Sequence, residues 1–312
     1  MLIKDLFFKY KVWVICALAC IIIPVFKPIF LSANNINGML VSMIPYGMVA
    51  VGLMFSLVSG VINLTIGSVM SLSAVVFAML LPSVGILPAA AAAVFAGAVV
   101  GFVDGWLVAY AKLNSWLVAI SLMLSVKGIA VLIARSETIR IMDPLFSKIS
   151  SSTIGPVPIL FFLYIAIVLL VDFFLFKTQM GRNLFAVGGS GEVAAACGLN
   201  SNWYCVFALT VSSALTGLGG VLLTTRLYSA NGNLGNDAIM SCLPMVIMGG
   251  STFTGGKGSA MGAVSGCLVM VLITTVMNLF NIYVNVQTLI QGMILLAIVI
   301  SDKYFINKNI KV

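Results

Sequence analysis

Apolar stretches of about twenty residues recur along the chain, separated by short polar or glycine-rich breaks. They fall at about 12–31, 38–59, 63–82, 86–110, 116–134, 157–176, 204–225, 238–250, 258–280 and 283–301. Most reach the roughly 20 residues an α-helix needs to cross a hydrocarbon core, and they do not alternate polar and apolar as barrel strands do. The pattern predicts an all-α, polytopic membrane helical bundle of about ten transmembrane helices, forming a single domain over 1–312. Two polar interruptions are sizeable: 135–156, and 177–203 after the sixth span.

Composition hardens this picture. The chain is 62% hydrophobic and 8% charged, where a soluble domain is about a quarter charged. The net charge of +8 would suggest nucleic acid in a soluble protein. In a polytopic one, basic residues flank spans and fix orientation, so no nucleic acid is expected as a partner. Ten spans put both termini on one side. If that side is the cytoplasm, ten Lys/Arg lie inside (4, 9, 11, 112, 177, 182, 257, 303, 308 and 311) and five outside (27, 135, 140, 148 and 226). The asymmetry predicts cytoplasmic N- and C-termini, a cytoplasmic 177–203 loop and an external 135–156 loop. Lys4, Lys9 and Lys11 precede the first apolar run, but no small-x-small cleavage site follows, so an uncleaved first span is expected.

Candidate chemistry is sparse. The absence of His removes the commonest general base and metal ligand. The six cysteines form no C-x-x-C pair and read as small buried hydrophobes. No reactive constellation marks an enzyme, so no catalytic residue and no metal ligand is expected. Asp104 and Asp172 lie near the inner ends of their spans, within reach of headgroup water, and Lys127 is the only charge well inside a span. No acid sits at a midplane, which leaves ion coupling without a candidate residue. Gly249 to Ser259 is not a Walker A loop, because Lys257 is followed by Gly258 and preceded six residues earlier by Ser251. The chain is therefore expected to bind no cofactor, and energy for uphill transport must come from another subunit.

Two segments interrupt the apolar pattern with small polar residues. In the first half, Asn63, Thr65 and Ser68 follow Gly60 at the start of a span, where they either glue helices together or line a path. The second-half counterpart is Met248 to Ser259. Spans 38–59 and 204–225 run in opposite directions, so the halves are compatible with an inverted repeat.

Three blocks carry a resemblance to a known family. Gly60-Val61-Ile62-Asn63-Leu64-Thr65-Ile66-Gly67-Ser68 resembles G-G-I-D-L-S-V-G-S of ribose-type ABC transporter permeases, within the branched-chain amino acid/ribose permease superfamily. Gly181-Arg182, Ala186 to Gly189, Glu192 to Ala195 and Gly198-Leu199 are similar to its G-R-x-x-x-A-x-G-x-N-x-E-A-A-x-x-x-G-I. Gly249 to Ser259 is similar to its G-G-T-S-L-x-G-G-K-G-S. The blocks occur in the family's order, within a match from about 38 to 301.

The resemblance implies a non-catalytic permease subunit of an ABC importer in a bacterial inner membrane, carrying a sugar or sugar-like molecule. Its implied partners are a second permease copy or homologue, an ABC ATPase that holds ATP and Mg, and a periplasmic or lipid-anchored binding protein. The implied site is a coupling helix inside 177–203, formed by Glu192, Ala194, Ala195 and Gly198, with Gly181 and Arg182 leading into it. The residues themselves agree: Gly188, Gly189 and Gly191 permit a sharp bend, Glu192 suits a helix start, and Ala194 to Ala196 offer a small docking surface. Gly198 is then a C-cap or a contact point. Asn63 departs from the family's aspartate, and Met240-Ser241 occupies a position that is acidic in many relatives, with Asp237 a few residues earlier. A self-sufficient carrier or channel for a small polar solute is the alternative reading.

Overall fold

The computed structural model describes residues 23–24 and 27–309. Twelve α-helices carry the fold among these residues: α1 Ala33–Val58, α2 Ile66–Val84, α3 Ile86–Ala109, α4 Ser115–Ile133, α5 Pro144–Ser151, α6 Ile159–Lys177, α7 Gln179–Gly189, α8 Gly191–Ala196, α9 Ser201–Leu227, α10 Ala238–Met248, α11 Ala260–Leu279 and α12 Val284–Asn309. Seven of them (α1 to α4, α6, α9 and α11) are long and apolar enough to cross a membrane. The all-α polytopic bundle expected from the hydrophobic pattern is thus the observed fold. The predicted 12–31 span lies mostly outside the described residues, and its last four residues, Pro28–Leu31, form a 3-10 turn.

Local chemistry sets the helix starts. Ser32 accepts from Asn35 N, Asn114 from Trp116 N, Asn200 from Trp203 N and Ser259 from Gly262 N. Each side-chain oxygen satisfies one of the amides that a helix leaves unpaired at its first turn. The 135–156 loop contains α5 and takes part in two minimal antiparallel ladders. β1 (Ile139–Arg140) pairs with β4 (Ser229–Ala230), and β2 (Thr153–Ile154) pairs with β3 (Val157–Pro158).

The core gathers around α1 and α9, whose best apolar windows are mostly enclosed, while α4 and α6 face outward. α3 lies antiparallel to α9 at backbone contact. A Cβ at Gly97 would stand 2.7 Å from Ser213 O, one at Gly101 would run into Leu209 O, and one at Gly105 would stand 2.6 Å from Val206 Cα. Glycines four apart place their bare backbones on one helix face, which allows this approach. On the opposite side of α9, a Cβ at Gly52 of α1 would meet Ser212 O at 2.7 Å. The central helix is therefore gripped through small residues on two faces.

Both span-end carboxylates depart from expectation. Asp104 does not reach solvent: it is 1% exposed on the α3 face toward α9, and neither carboxylate oxygen has a hydrogen-bond partner. Its neighbour Gly105 is the reason, because that close approach carries Asp104 into the seam. Asp172 is half-buried and accepts from Ala260 N at 3.0 Å, tying α6 to the start of α11. The cysteines also divide: Cys242 and Cys267 are buried, whereas Cys197 is exposed just beyond α8.

Candidate functional site

The 177–203 segment is two short helices, with a course that differs from the one expected. Gly181 and Arg182 lie in the first turn of α7, the helix that immediately precedes α8. Thr178 caps that turn, accepting from Gly181 N at 3.1 Å. A Cβ at Gly181 would collide with Leu175 O, so glycine is what lets α7 fold back onto the end of α6. Gly188 and Gly189 do not make the bend, since they complete α7. The chain turns at Ser190, which is extended (φ −161°) and accepts from Val193 N at 3.4 Å to start α8. A serine just ahead of the helix was the available sequence signal.

α8 carries Glu192 in its first turn, with Ala194 turned inward and Ala195 exposed. Val193 is 62% exposed, so the outer face presents one apolar and one acidic side chain beside small residues. Gly198 stops the helix at φ +83°, while Leu199 N closes back onto Ala194 O at 3.0 Å. Nothing lies within 4 Å of a Cβ placed at Gly198. It therefore acts as a left-handed cap open to the surroundings rather than as a packing contact within the chain.

The blocks that carry the resemblance converge at the end of α7. Gly256 N donates to Val58 O at 3.0 Å, joining the loop after α10 to the end of α1. A Cβ on Gly188 would overlap that same Val58 O and fall 2.8 Å from Gly256 N. One on Gly255 would fall 2.5 Å from Gly188 O and 2.7 Å from Gly60 Cα, and one on Gly256 2.9 Å from Gly189 Cα. Backbones of three segments, 58–60, 188–189 and 255–256, thus meet with no side chain between them. The first-half Gly60 and the second-half Gly255 thus lie side by side here, both against Gly188 of α7.

Asn63, Thr65 and Ser68 are placed elsewhere, in a closed polar knot. Asn63 is fully buried and donates from Nδ2 to Ser212 Oγ and Ser213 Oγ, both at 3.0 Å. Its Oδ1 accepts from Thr65 N at 3.0 Å and Thr65 Oγ1 at 2.7 Å. Ser68 Oγ donates to Thr65 O at 2.9 Å. Every polar atom of the Asn63 side chain has a partner, so the knot ties the turn before α2 to the middle of α9. Just beyond it, Gly67 packs on Gly235, where a Cβ would meet Gly235 O at 2.6 Å, and Gly235 N donates to Ser71 Oγ at 2.8 Å. Here the first-half turn meets 231–237 and not 248–259.

A polar cleft of about 250 Å³ opens between α1, α9, α10, α11 and α12. Tyr46, Arg226, Asp237, Ser241, Thr274 and Gln287 line it, over an apolar floor that includes Met245 and Met270. Asp237 stands at the start of α10 yet makes no side-chain cap to that helix. Gln287 is held at the wall, its Nε2 donating to Asn278 Oδ1 and Ile282 O, both at 2.8 Å. None of Asn63, Thr65 or Ser68 borders this space. Sequence reasoning missed most of its lining. A signal existed in Thr274 with Asn278, and Gln287 with Gln291, each pair four apart and so on one face of an otherwise apolar helix.

Comparison with known proteins gives a consistent answer. The profile of the family described as branched-chain amino acid transport system / permease component matches residues 35–299. An L-arabinose ABC transporter permease protein of Azospirillum brasilense is 30% identical over 283 residues, covering 90% of this chain and 84% of that one. A ribose import permease protein of Haemophilus influenzae is 28% identical over 298 residues, covering 93% and 91%. A D-allose transport system permease protein of Escherichia coli K12 is 28% identical over 301 residues, covering 95% and 91%. No solved structure matches.

Proposed function

This chain belongs to the family of branched-chain amino acid transport system permease components, and from that premise we propose that it is the membrane-spanning subunit of a bacterial ABC importer for a sugar or sugar-like molecule. It sits in the inner membrane with both termini in the cytoplasm. The ATP and Mg that drive it are held by a partner ATPase. A periplasmic or lipid-anchored binding protein delivers cargo, and a second permease copy or homologue completes the pathway.

The observation that carries this reading is the three-way glycine contact. Backbone-to-backbone packing leaves little room for slip, since displacing one partner by a fraction of an ångström already overlaps the others. An ATPase pressing on the exposed face of α8 would load α7, and through Gly188 both Val58 on α1 and Gly256 ahead of α11. Glu192, Val193, Ala195 and Gly198 make up the surface offered to it. Work done outside the chain thereby reaches both halves at one point.

Reconstitution tests the reading. The chain, with its ATPase and binding protein in proteoliposomes, is expected to accumulate L-arabinose, D-ribose or D-allose only when ATP is present on the ATPase side. Uptake by the chain without the ATPase would make it a self-sufficient carrier instead.

A further inference from the structure

We propose that the polar cleft is the intramembrane binding site for one monosaccharide, with Asp237, Ser241 and Thr274 engaging its hydroxyls and Arg226 standing at its edge. The inference rests on the sugar-importer reading and adds to it a place and a set of residues. A sugar ring presents hydroxyl donors and acceptors around its edge and C–H groups on its faces. A site for it needs dispersed neutral hydrogen-bonding groups, an acceptor strong enough to orient one hydroxyl pair, and an apolar surface. The cleft supplies all three.

The neutral groups come from four helices: Ser42 on α1, Ser241 on α10, Thr274 on α11 and Gln287 on α12. Asp237 supplies the strong acceptor. Its carboxylate does not cap α10, and among the described residues no side-chain hydrogen bond or ion pair within the chain engages it or the Arg226 guanidinium. A carboxylate left free beside hydroxyl and amide groups is an acceptor available to cargo. Met245, Met270 and Val271 give the apolar surface, and thioether side chains adapt to ligands of differing outline. The volume, about 250 Å³, falls below the roughly 300–1,000 Å³ of sites for drug-sized ligands, which suits one ring and not two.

Arg226 has a second boundary. A separate cavity of about 200 Å³, under Ser150, Pro158 and Tyr228, shares with the cleft a single lining residue, Arg226. Arg226 lies in the last turn of α9, next to the β1–β4 ladder. Arg226 therefore borders both spaces. A zwitterionic amino acid could also pair with Arg226 and Asp237; the preponderance of neutral hydroxyls and amides favours the sugar.

The test uses the complete transporter in proteoliposomes, with L-arabinose, D-ribose and D-allose as sugars and L-leucine as the rival. Asp237→Asn and Ser241→Ala are expected to raise KM for the transported sugar, measured at saturating binding protein, by about tenfold to a hundredfold for the charged contact and less for the hydroxyl. In parallel, Ser241→Cys is labelled with a thiol reagent in the purified complex, wild type giving the background from the native cysteines. Saturating sugar is expected to slow labelling about tenfold, and this holds as a readout even if Asp237→Asn fails to assemble. Sugar uptake with unchanged kinetics in both variants and no protection of the introduced thiol would overturn the site while leaving the importer reading intact. Transport of leucine in place of every sugar, or of none of the four, would overturn the importer's sugar assignment and the site together.

Discussion

Asn63 and Asp237 stand at comparable places: each lies within three residues of a helix start, α2 and α10, and Gly67 in the first turn of α2 touches Gly235 ahead of α10. Their side chains behave oppositely. Asn63 is buried with all of its hydrogen-bonding capacity spent on Ser212, Ser213 and Thr65. Asp237 is exposed to the cleft, makes no cap and shares open space with Ser241 and Thr274. Polarity in an apolar span thus signals either a fastener or a binding surface, and hydrogen-bond satisfaction decides between them. The small residues Asn63, Thr65 and Ser68, read from the sequence as either glue or path, have the bonding of a fastener.

That contrast can be pressed by substitution, and the largest response is expected at the glycine contact between α1, α7 and the loop before α11. Gly188→Val forces a branched side chain against Val58 O and Gly256 N; it should cost about 3 kcal/mol or more and show as loss of monodisperse protein in detergent. Next comes Asn63→Leu, which strands two buried serine hydroxyls and an amide. A loss of about 2–3 kcal/mol is expected, read as a lower thermal midpoint of the purified complex. Asn63→Asp keeps the acceptor for Thr65 and lets the two serines donate, so its loss should be visibly smaller. Equal losses for Leu and Asp would break the fastener assignment.

Gly198→Trp should lower stability by only about 1–2 kcal/mol, the cost of a left-handed residue, because its Cβ meets open space. Sugar-stimulated ATP hydrolysis should nonetheless disappear. Glu192→Arg places a cation at a helix start and should cost under about 1 kcal/mol, with the same loss of stimulation. Normal uptake by both variants at normal expression would remove α8 from the coupling role. The smallest change in stability, within about 0.5 kcal/mol, is expected for Asp237→Asn, in contrast to Asn63→Leu at the matching turn.

Much of the architecture could be read before the structure, because a membrane demands length and apolarity from each span and both are one-dimensional properties. The bounds of α2, α3, α4 and α6 fall within a few residues of the apolar runs. What could not be read is long-range. That Gly188 meets Val58 and Gly256, each far from it in sequence, depends on how three helix ends converge. The fate of Asn63 was equally hidden, since its partners Ser212 and Ser213 lie 149 and 150 residues away. Asp104 shows the same limit, being near a span end in sequence yet sealed against α9 by the glycine beside it.

The closest contacts at the joint between α1, α7 and the loop before α11 are backbone to backbone. A contact with no side chains cannot be retuned by exchanging them, and it does not sense which side chains line the cleft on the far side of α10. Under the roles proposed for the cleft and for α8, cargo preference drifts by changes at Tyr46, Ser241, Thr274 or Gln287 while the linkage to the motor stays the same. Under those roles a chain built this way acquires a new sugar without having to relearn how to be driven.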